Sequence, residues 1–321
     1  MMKLRVGVMR GGKGSEYHVS LKTGGHVLSA LPPDRYDVRD ILITADGQWH
    51  MNGVPTTPEK VSRSVDLVWN ALHGEFGEDG KVQKILDAFG VPYTGSSAIP
   101  SAVGMNKVLA KRSFEELGIK SPQGVVVERG EEIEDVLARV RHLLRAPYVV
   151  KPVMGGSSLG LSFASNAQEL MQGIERALSF GERALVEEYI SGREITLGVI
   201  DALDNQGAYV TPPLEIFLPD GALFDHDSKN ITPAHPVSLA QLCLADREAL
   251  EQSVLLAHRG LGIRHYARYD VILANDGVYL LEVNTLPGLA FGSLFEKSLA
   301  AQGLFMPEFT DYIVALALQR K

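Results

Sequence analysis

Hydrophobic positions in the first hundred residues form short runs, and two of these runs are followed by a glycine-containing loop and then by helical spacing. Leu4–Met9 leads into Gly11-Gly12-Lys13-Gly14 and a helix for which Ser15 is the predicted N-cap. Val65–Leu72 is mostly apolar, which is typical of a parallel strand buried on both faces. The predicted elements of this part are the strands Leu4–Met9, Tyr36–Thr44 and Val65–Leu72 and the helix Lys81–Phe89. Strand, loop and helix in this order predict an α/β lobe.

Beyond Pro100 the order changes, and short strands flank single helices. The predicted helices are Asn106–Leu117, Glu131–Leu144 and Asn166–Leu178, and the strands are Gly124–Glu128, Pro147–Val153, Leu161–Ala164 and Ala184–Tyr189. Beyond Ser191 the predicted strands are Glu194–Asp201, Tyr209–Phe217, Tyr266–Ala274 and Val278–Asn284, with helices Asp246–Leu261 and Pro307–Leu318. We therefore expect three lobes, namely an open parallel sheet in 1–104, an antiparallel α+β lobe in 105–191 and a mixed sheet in 192–321.

The composition excludes several classes of protein. The chain has 321 residues, 45% of them hydrophobic, and its 31 Lys and Arg against 39 Asp and Glu give a net charge of −8. That apolar fraction fits a folded globular chain. An acidic chain without a basic tract or a run of about 18 apolar residues is expected to bind neither nucleic acid nor membrane. The single cysteine, Cys243, fits a reducing cytoplasm and excludes disulfide scaffolds.

Two alternating runs within residues 267–284 predict a β-hairpin with polar side chains on one face. With a loop at residues 275–277, the opposed pairs are Asp270 with Glu282 and Arg268 with Asn284. Opposed carboxylates repel each other unless a cation lies between them, and Mg²⁺ takes carboxylate and amide oxygens together with substrate phosphates. The hairpin therefore predicts a magnesium site. A solvated polar face is the alternative, and a two-residue Asp-Gly turn would instead put Val283 opposite Asp270.

A loop rich in glycine and serine, Met154–Gly160, follows the apolar run that ends in Lys151-Pro152. Backbone N–H groups, hydroxyls and a nearby lysine are donors that bind phosphate oxygens. The two Gly-Lys pairs of the N-terminal lobe lack the Ser or Thr of a Walker A motif, which excludes a P-loop kinase. Ser158 matches the nucleophile elbow of hydrolases, but the alternation after it is typical of a strand and not of the required helix. A purely structural turn is the remaining alternative.

These motifs together resemble the D-alanine–D-alanine ligases of the ATP-grasp superfamily. The segments that carry the resemblance are 14–24, 71–80, Met105-Asn106-Lys107, Lys151-Pro152 with Gly156-Ser157-Ser158, 187–194, Arg268 with Asp270, and 282–294. They span nearly the whole chain in the family's order. The resemblance implies an ATP-grasp fold that holds ATP between its last two lobes. It also implies an ATP- and Mg²⁺-dependent ligase that makes D-alanyl-D-alanine for peptidoglycan through an acyl phosphate.

The resemblance further implies a role for each matching residue. ATP phosphates would contact Lys107, Lys151 and the lid lysine Lys229, the adenine would contact Glu187, Tyr189 and Ile190, and the ribose would contact Glu194. Asp270, Glu282 and Asn284 would hold two Mg²⁺ ions, with Mn²⁺ as an alternative. The D-alanines would contact Glu16, His73, Ser157, Ser293 and Leu294, while Arg268 and the Gly288 N–H would form an oxyanion hole. Members of the family are commonly homodimers.

One departure from the family's pattern concerns the second substrate. The family's lid carries a Lys-Tyr pair, but here Lys229 precedes Asn230, and the lid before Pro233 is short. Because Asn is smaller than Tyr, another acceptor such as D-lactate or D-serine is an alternative, with His226 as a candidate polar replacement. A non-catalytic ATP-binding relative is the third hypothesis.

Some of these residues also have ordinary structural interpretations. Glu16 alternatively complements the dipole of its helix. His73 would then be a structural hydrogen-bonding group, Lys107 a solvated surface lysine and Ser293 the N-cap of the helix after it.

Overall fold

The computed structural model describes residues 3–156, 159–203, 207–217 and 237–319, which form three β-sheets with helices packed against them. The first sheet lies within residues 4–70, the second within 124–188 and the third within 193–284. The predicted three-lobe α/β architecture is therefore confirmed, although the first sheet also holds an unpredicted antiparallel hairpin and the described part of the third sheet is antiparallel. No helix within those described ranges is both long and apolar enough to cross a membrane.

The N-terminal sheet is mixed rather than wholly parallel. Its strands are β1 (Leu4–Gly11), β2 (Tyr36–Ile43), β3 (Trp49–Met51), β4 (Val54–Thr56) and β5 (Leu67–Asn70), in the order β4-β3-β2-β1-β5. Only the pairings of β1 with β2 and with β5 are parallel. The antiparallel β3–β4 hairpin was not predicted, although its turn residues Asn52-Gly53 are a hairpin signal, and both have positive φ, at 50° and 80°.

Four helices accompany the first sheet in the described chain: α1 (Tyr17–Ala30), α2 (Pro58–Ser64), α3 (Lys81–Ala88) and α4 (Ala98–Met105). The prediction of Ser15 as N-cap of α1 is wrong. Glu16 occupies that position, and its side chain makes no capping hydrogen bond. The carboxylate therefore makes no capping hydrogen bond to its own helix, although at this position its charge can still complement the helix dipole.

The central lobe is antiparallel, as predicted. It comprises α5 (Lys107–Glu116), β6 (Gly124–Glu128), α6 (Ile133–Leu143), β7 (Tyr148–Pro152), β8 (Ser162–Ala164), α7 (Ala167–Leu178) and β9 (Arg183–Glu188). The strand order is β6-β9-β7-β8. Side chains such as Val150 and Val186 pack on α6 and α7, so one face of this sheet forms a hydrophobic core. The other face is free to carry polar groups.

The C-terminal sheet is antiparallel at every pairing among the described residues, so the predicted mixed sheet is wrong. The elements are β10 (Arg193–Asp201), β11 (Ala208–Val210), β12 (Leu214–Ile216), β13 (Val237–Leu239), α8 (Leu244–Gly260), β14 (Tyr266–Ala274) and β15 (Gly277–Asn284). The order is β13-β12-β10-β14-β15, with β11 also on β10. The predicted strand Tyr209–Phe217 is two short strands, because Pro212-Pro213 cannot donate backbone hydrogen bonds.

The last two helices, α9 (Leu294–Ala301) and α10 (Met306–Leu318), pack against the N-terminal lobe. Phe309 and Ile313 of α10 share a hydrophobic core with Val6 and Trp69 of the first sheet and with Phe295 of α9. The C-terminal segment therefore packs on the N-terminal lobe, which fixes the loop between β15 and α9 beside the first sheet.

Candidate active site

The hairpin of β14 and β15 carries the predicted polar face. Arg268 pairs with Asn284 and Asp270 pairs with Glu282, as predicted. The turn is not as predicted, because Ala274 pairs with Gly277 around a two-residue loop. A β-bulge between the Asp270 and Val271 pairings shifts the register back by one residue. The predicted pairing is thus confirmed, but it depends on a bulge and not on a three-residue loop.

Strand β10 extends this face on the other side of the hairpin. Thr196 pairs with Asp270, and Glu194 stands two residues before Thr196, on the same side of the sheet. The opposite side chains, among them Leu197 and Tyr269, belong to the hydrophobic core under α8. We call the six polar side chains the acidic face: Glu194, Thr196, Arg268, Asp270, Glu282 and Asn284.

Arg268 and Asp270 form a buried bidentate pair within the acidic face. Arg268 Nε donates to Asp270 Oδ1 at 2.9 Å, and Nη2 donates to Oδ2 at 2.8 Å. Thr196 Oγ1 also donates to Oδ1, at 2.8 Å. Burial alone would lower the pKa of Arg268, but Asp270 and the nearby Glu282 and Glu78 outweigh burial and raise it. The guanidinium therefore stays charged and is held in a fixed orientation at the centre of the face.

The acidic face has the chemistry of a magnesium site that is completed by a ligand. Within the described ranges, no three His, Cys, Asp or Glu side chains lie close enough together to hold a metal by themselves. Asp270, Glu282 and Asn284 instead offer two carboxylates and one amide on one face. Because Mg²⁺ binds through one or two carboxylates plus substrate phosphates rather than in an all-protein cage, this donor set fits it.

A second polar face lies on the central sheet, on the side opposite its hydrophobic core. Val149 pairs with both Phe163 and Glu187, and Lys151 follows Val149 by two residues, so these side chains share one face. Tyr189 follows Glu187 by two residues, and its ring lies 5.4 Å from that of Phe163 at an interplanar angle of 90°. We call Lys151, Phe163, Glu187 and Tyr189, together with Lys111 of α5, the lysine face.

Glu187 is the buried centre of the lysine face. Its Oε1 accepts a hydrogen bond from Lys111 Nζ at 2.5 Å, and its Oε2 lies 2.6 Å from Lys151 Nζ. Burial would raise the pKa of Glu187, but the two lysines outweigh burial and lower it. Burial in turn lowers the pKa of Lys111, against the opposing effect of Glu187. One ionised carboxylate is thus shared by two ammonium groups.

Helix α5 places a further predicted phosphate ligand beside the glycine loop. Asn106 caps this helix by accepting hydrogen bonds from the N–H groups of Val108 and Leu109. Lys107, the first helical residue, donates from Nζ to the carbonyl of Gly155 at 2.7 Å. The lysine is therefore not merely a solvated surface residue. Ser157 of this loop and Lys229 of the predicted lid lie outside the described residues, as do His226 and Asn230.

The central lobe and the acidic face meet at a small cavity. Lys107, Gly155 and Gly156 line it from the central lobe, and Glu282 and Asn284 line it from the acidic face. Its volume is about 40 Å³. A charged group of the central lobe and two predicted metal ligands therefore border the same space. Ile190 and Glu194 lie in and just after the connection between the two sheets, which places the predicted adenine and ribose ligands beside both faces.

Glu16 lies at the junction of the N-terminal lobe with the glycine loop. Its side chain is buried, and it contributes to a cleft of about 340 Å³ that Gly74 and Gly156 also line. Gly74 has a φ of 66°, and a Cβ there would clash with Glu16 Oε2. At Gly156 a Cβ would come within 3.2 Å of the same oxygen. Both glycines thus leave room for the carboxylate that the family resemblance assigns to an ammonium group.

His73 is buried behind this carboxylate. Its Nε2 lies 2.9 Å from Thr23 Oγ1. Burial lowers the pKa of His73, and the negative charge of Glu16 only partly opposes that effect. The ring is therefore neutral near pH 7, and it orients neighbouring groups through hydrogen bonds rather than through charge.

Glu78 is a site residue that we did not predict. Its Oε2 accepts from the Gly74 N–H at 2.7 Å and its Oε1 accepts from the Leu286 N–H at 3.2 Å. With the Asn284 amide oriented to satisfy both neighbours, Asn284 donates to Glu78 Oε1 at 3.1 Å and accepts from Arg268 at 3.1 Å. Burial, and next the charge of Glu16, raise the pKa of Glu78 to about 8. Glu78 thus ties the N-terminal lobe to the end of β15.

The loop after β15 carries the remaining predicted residues. A Cβ at Gly288 would meet nothing within 4 Å, so the backbone there borders open space. Ser293 occupies the N-cap position of α9, but its hydroxyl makes no cap and donates to the Gly288 carbonyl at 2.7 Å. Leu294 is the first residue of that helix. The Leu289 N–H reaches Thr23 Oγ1 at 3.4 Å, which links this loop to α1 and His73.

Three signals in the sequence could have revealed the site residues that we did not predict. Lys111 follows Lys107 by four residues, so both lie on the same side of α5. Thr196 stands two residues after Glu194 in the same predicted strand. For Glu78 the only signal is its position in the polar glycine loop after β5. The structure brings Lys107, Glu282 and Asn284 to one cavity and groups Glu16 with His73 at the N-terminal lobe.

The chain matches one protein family over most of its length. Residues 5–60 and 53–96 match the family model of the D-ala D-ala ligase N-terminus, and residues 113–315 match that of the C-terminus. The D-alanine–D-alanine ligase of Geobacillus kaustophilus is 32% identical over 360 residues, covering 99% of this chain and 96% of the relative. That of Geobacter sulfurreducens is 35% identical over 317 residues, covering 98% and 94%.

Two solved structures are similar over almost their whole length. The VanG D-Ala:D-Ser ligase of Enterococcus faecalis has a TM-score of 0.86 and 26% identity, covering 98% of this chain and 100% of that one. The D-alanine–D-alanine ligase of Bacillus anthracis complexed with ATP has a TM-score of 0.81 and 27% identity, covering 98% of both chains.

Proposed function

The chain belongs to the D-alanine–D-alanine ligase family and has its ATP-grasp fold, and from this premise we propose that it joins two D-alanines into D-alanyl-D-alanine. It is an ATP-dependent ligase, and its cofactors are ATP and Mg²⁺. The product serves peptidoglycan synthesis, as in the family generally. The observation that supports this function best is a cavity at which Lys107 and the glycine loop of the central lobe meet Glu282 and Asn284 of the acidic face.

The division of roles between the two faces follows from their charge. Lys107 and Lys151 would bind the phosphate groups of ATP. The ammonium group of Lys107 lies on the glycine loop, and Lys151 lies near the end of the strand before that loop. Glu187, Tyr189, Ile190 and Glu194 would hold the adenosine. Asp270, Glu282 and Asn284 would hold Mg²⁺, which neutralises phosphate charge when bound.

The first chemical step is activation of a carboxylate. A carboxylate oxygen of the first D-alanine attacks the γ-phosphorus, the bond to the β-phosphate oxygen breaks, and an acyl phosphate and ADP result. Glu16 would bind the ammonium group of this D-alanine, and His73 would support Glu16. Catalysis of such a transfer consists mainly of positioning and charge neutralisation, which is what lysines and glycine N–H groups provide.

The second step forms the peptide bond. The amine of the second D-alanine, after losing one proton to solvent, attacks the acyl carbon. The tetrahedral intermediate then loses a second proton from the nitrogen to solvent as the bond between carbon and the phosphate oxygen breaks. Arg268 and the Gly288 N–H would stabilise the oxyanion, and the open space beside Gly288 permits a substrate to approach that N–H. Ser293 and the N-terminus of α9 at Leu294 would receive the carboxylate of the acceptor. Ser157 and Lys229 keep their predicted roles in substrate and ATP binding.

The proposed function is tested by an acceptor panel. D-Alanine, D-serine and D-lactate are supplied with Mg²⁺ and ATP, phosphate release is followed, and the products are identified by mass spectrometry. We expect D-alanine to give the highest kcat/KM and a product with the mass of D-alanyl-D-alanine. Phosphate release that does not respond to any of these acceptors would contradict the proposal and support a non-catalytic ATP-binding relative.

D-Serine is a second candidate acceptor. The observation that favours it is the likeness to the D-Ala:D-Ser ligase, together with Asn230 in place of the family's lid tyrosine. The same panel decides between the two, because a higher kcat/KM with D-serine would assign the mixed dipeptide. D-Lactate would give an ester instead of an amide, and the product mass distinguishes it.

Three further proposals concern the roles of the lobes, the location of the protein and its oligomeric state. We propose that residues 1–104 bind the first D-alanine, that 105–191 and 192–321 hold ATP between them, and that the second of these carries the metal and oxyanion groups. We also propose a cytoplasmic location, where ATP is available, and a homodimer as in the family. Analytical ultracentrifugation of the full chain tests the dimer.

A further inference from the structure

Lys111 has no place among the roles that the family resemblance implies, yet it is integrated into the site. Its side chain is only 12% exposed, and its Nζ lies 2.5 Å from Glu187 Oε1. Lys151 reaches the other oxygen of the same carboxylate at 2.6 Å, with 9% of its side chain exposed. The carboxylate itself is almost wholly buried. The three groups therefore form one buried charge cluster on the lysine face.

The charge balance of this cluster is unusual for a purely structural ion pair. Two ammonium groups and one carboxylate leave a net charge of +1 in a poorly solvated place. A buried carboxylate needs one cation, and a second buried cation adds a desolvation cost that the existing pair does not repay. Glu188, which also faces Lys111, stabilises the ammonium form only as a lesser contribution. An arriving anion would remove the imbalance.

Glu187 and an incoming phosphate compete for the same ammonium group of Lys151. If Lys151 were the sole partner of Glu187, contact with phosphate would leave a buried carboxylate uncompensated beside another anion, which is costly. Lys111 approaches the other oxygen and is anchored on α5, one helical turn from Lys107, whose ammonium lies on the glycine loop. Lys111 can thus stay on Glu187 while Lys151 leaves it.

We propose that Lys111 is a positioning residue that holds the Glu187 carboxylate and so releases Lys151 to bind the phosphate groups of ATP. This inference rests on the proposed function only in taking ATP as the ligand. It requires no chemistry from Lys111 itself. It predicts that loss of Lys111 weakens binding of the phosphates and leaves binding of the adenosine part nearly unchanged.

The test compares two ligands on two variants of the full chain. Lys111→Met is expected to raise the Kd for ATP at least about tenfold, since one partner of a buried charge pair is lost. The Kd for adenosine, which lacks phosphates, is expected to stay within about twofold, because Lys151 then remains on Glu187 and keeps that carboxylate in place. Equilibrium dialysis measures both. Arg112→Met is the matched control, because Arg112 is the next residue of α5, is exposed, and loses the same charge.

Each outcome bears on the proposal. Equal weakening of ATP and adenosine, or unchanged binding of both by Lys111→Met, would overturn the role of Lys111. Lys111→Arg keeps a cation in place and should retain most of the ATP affinity. Absence of ATP binding by the wild type would overturn the proposed function as well, so the two failures are distinguishable.

A double variant covers the case in which Lys111→Met does not fold. In the Glu187→Gln background the neutral amide no longer competes for Lys151, and removal of Lys111 should change the ratio of the ATP and adenosine Kd values by less than about threefold. A change of about tenfold or more in that background would show that Lys111 acts independently of Glu187 and would contradict the proposal.

Discussion

The lysine face and the acidic face solve opposite electrostatic problems. On the first, two ammonium groups share the single carboxylate of Glu187. On the second, Arg268 shares its face with the carboxylates of Asp270, Glu282 and Glu194. One face has an excess of cations and the other an excess of anions. A complex of Mg²⁺ and ATP carries phosphate oxygens and a divalent cation together, so one ligand relieves both imbalances.

The faces also differ in which side chains their buried ion pairs leave available to a ligand. The bidentate Arg268–Asp270 pair fixes both groups, and Glu282 and Asn284 border the cavity. On the lysine face, Lys151 can leave Glu187 for another anion, because Lys111 remains as a second cation beside that carboxylate. We infer that neither face is a complete site, and that a different part of the same ligand completes each one.

The largest effect is expected at the centre of the acidic face. Arg268→Met should lower kcat by about 10²–10³-fold, because a donor to the oxyanion is lost. It should also destabilise the fold, since the buried Asp270 carboxylate would lose both hydrogen bonds from the guanidinium. Steady-state phosphate release and urea unfolding measure the two effects separately.

Arg268→Lys is the matched control for that variant. Lysine keeps the charge but not the planar fork of donors, so stability should recover more than kcat does. If Arg268→Met kept kcat within about threefold of the wild type, Arg268 would be only the counter-ion of Asp270. The acidic face would then be a metal site without a catalytic cation.

A smaller effect, with a pH dependence, is expected on the lysine face. The two lysines lower the pKa of Glu187 against the effect of burial, so folding gains stability from this group above its ordinary pKa of 4.5. That gain is lost as the pH falls through the lowered pKa of the folded state. Glu187→Gln should lower the free energy of unfolding by about 3 kcal/mol at pH 7, and by progressively less below pH 4.5. Urea denaturation at pH 7 and pH 3.5 measures the difference.

Glu182→Gln provides the comparison for this titration. Glu182 is a glutamate beside β9 whose side chain is 81% exposed and lies 3.1 Å from Arg129. Its substitution should change stability little at either pH, because exposed pairs contribute little. A stability difference for Glu187→Gln that stays constant from pH 7 to pH 3.5 would show that the pKa of Glu187 is the same in the folded and unfolded states.

The smallest effect is expected from the aromatic edge that only the lysine face has. Tyr189 is 41% exposed and lies against Phe163. Tyr189→Ala should weaken ATP binding by about 1 kcal/mol, which raises the Kd roughly fivefold, because contact with the adenine base is lost. The Mg²⁺ dependence of ATP binding should not change. Tyr209→Ala, at an exposed tyrosine of β11, should leave ATP binding unaltered. An equal loss in both variants would contradict a base-binding role.

Most of the fold and the hairpin pairing could be predicted from the sequence. Alternation and apolar runs report which side of an element is buried, and the three lobes follow from them. The pairing of Asp270 with Glu282 was correct although the loop was not, because a bulge compensated for the shorter turn. Bulges are set by packing of neighbouring strands, which the sequence of one hairpin does not encode.

What the sequence did not reveal are contacts between distant segments. Lys111 and Glu187 are separated by 76 residues, and Glu78 and Leu286 by 208. The resemblance assigned Arg268 and Asp270 to different tasks, whereas the structure shows them as one buried pair. The antiparallel part of the first sheet was also missed, since the β3–β4 hairpin has short strands with little periodicity. Its Asn-Gly turn was nevertheless a visible signal.

The joint action of the two faces is tested most directly by calorimetric titration of ATP with and without Mg²⁺. In the wild type, Mg²⁺ should tighten ATP binding at least about tenfold, because the acidic face adds ligands to the same ion. Glu282→Gln should lose most of that gain and keep the affinity without Mg²⁺. Lys151→Met should lose affinity in both conditions. A full gain from Mg²⁺ in Glu282→Gln, or unchanged ATP affinity in Lys151→Met, would contradict a ligand shared by both faces.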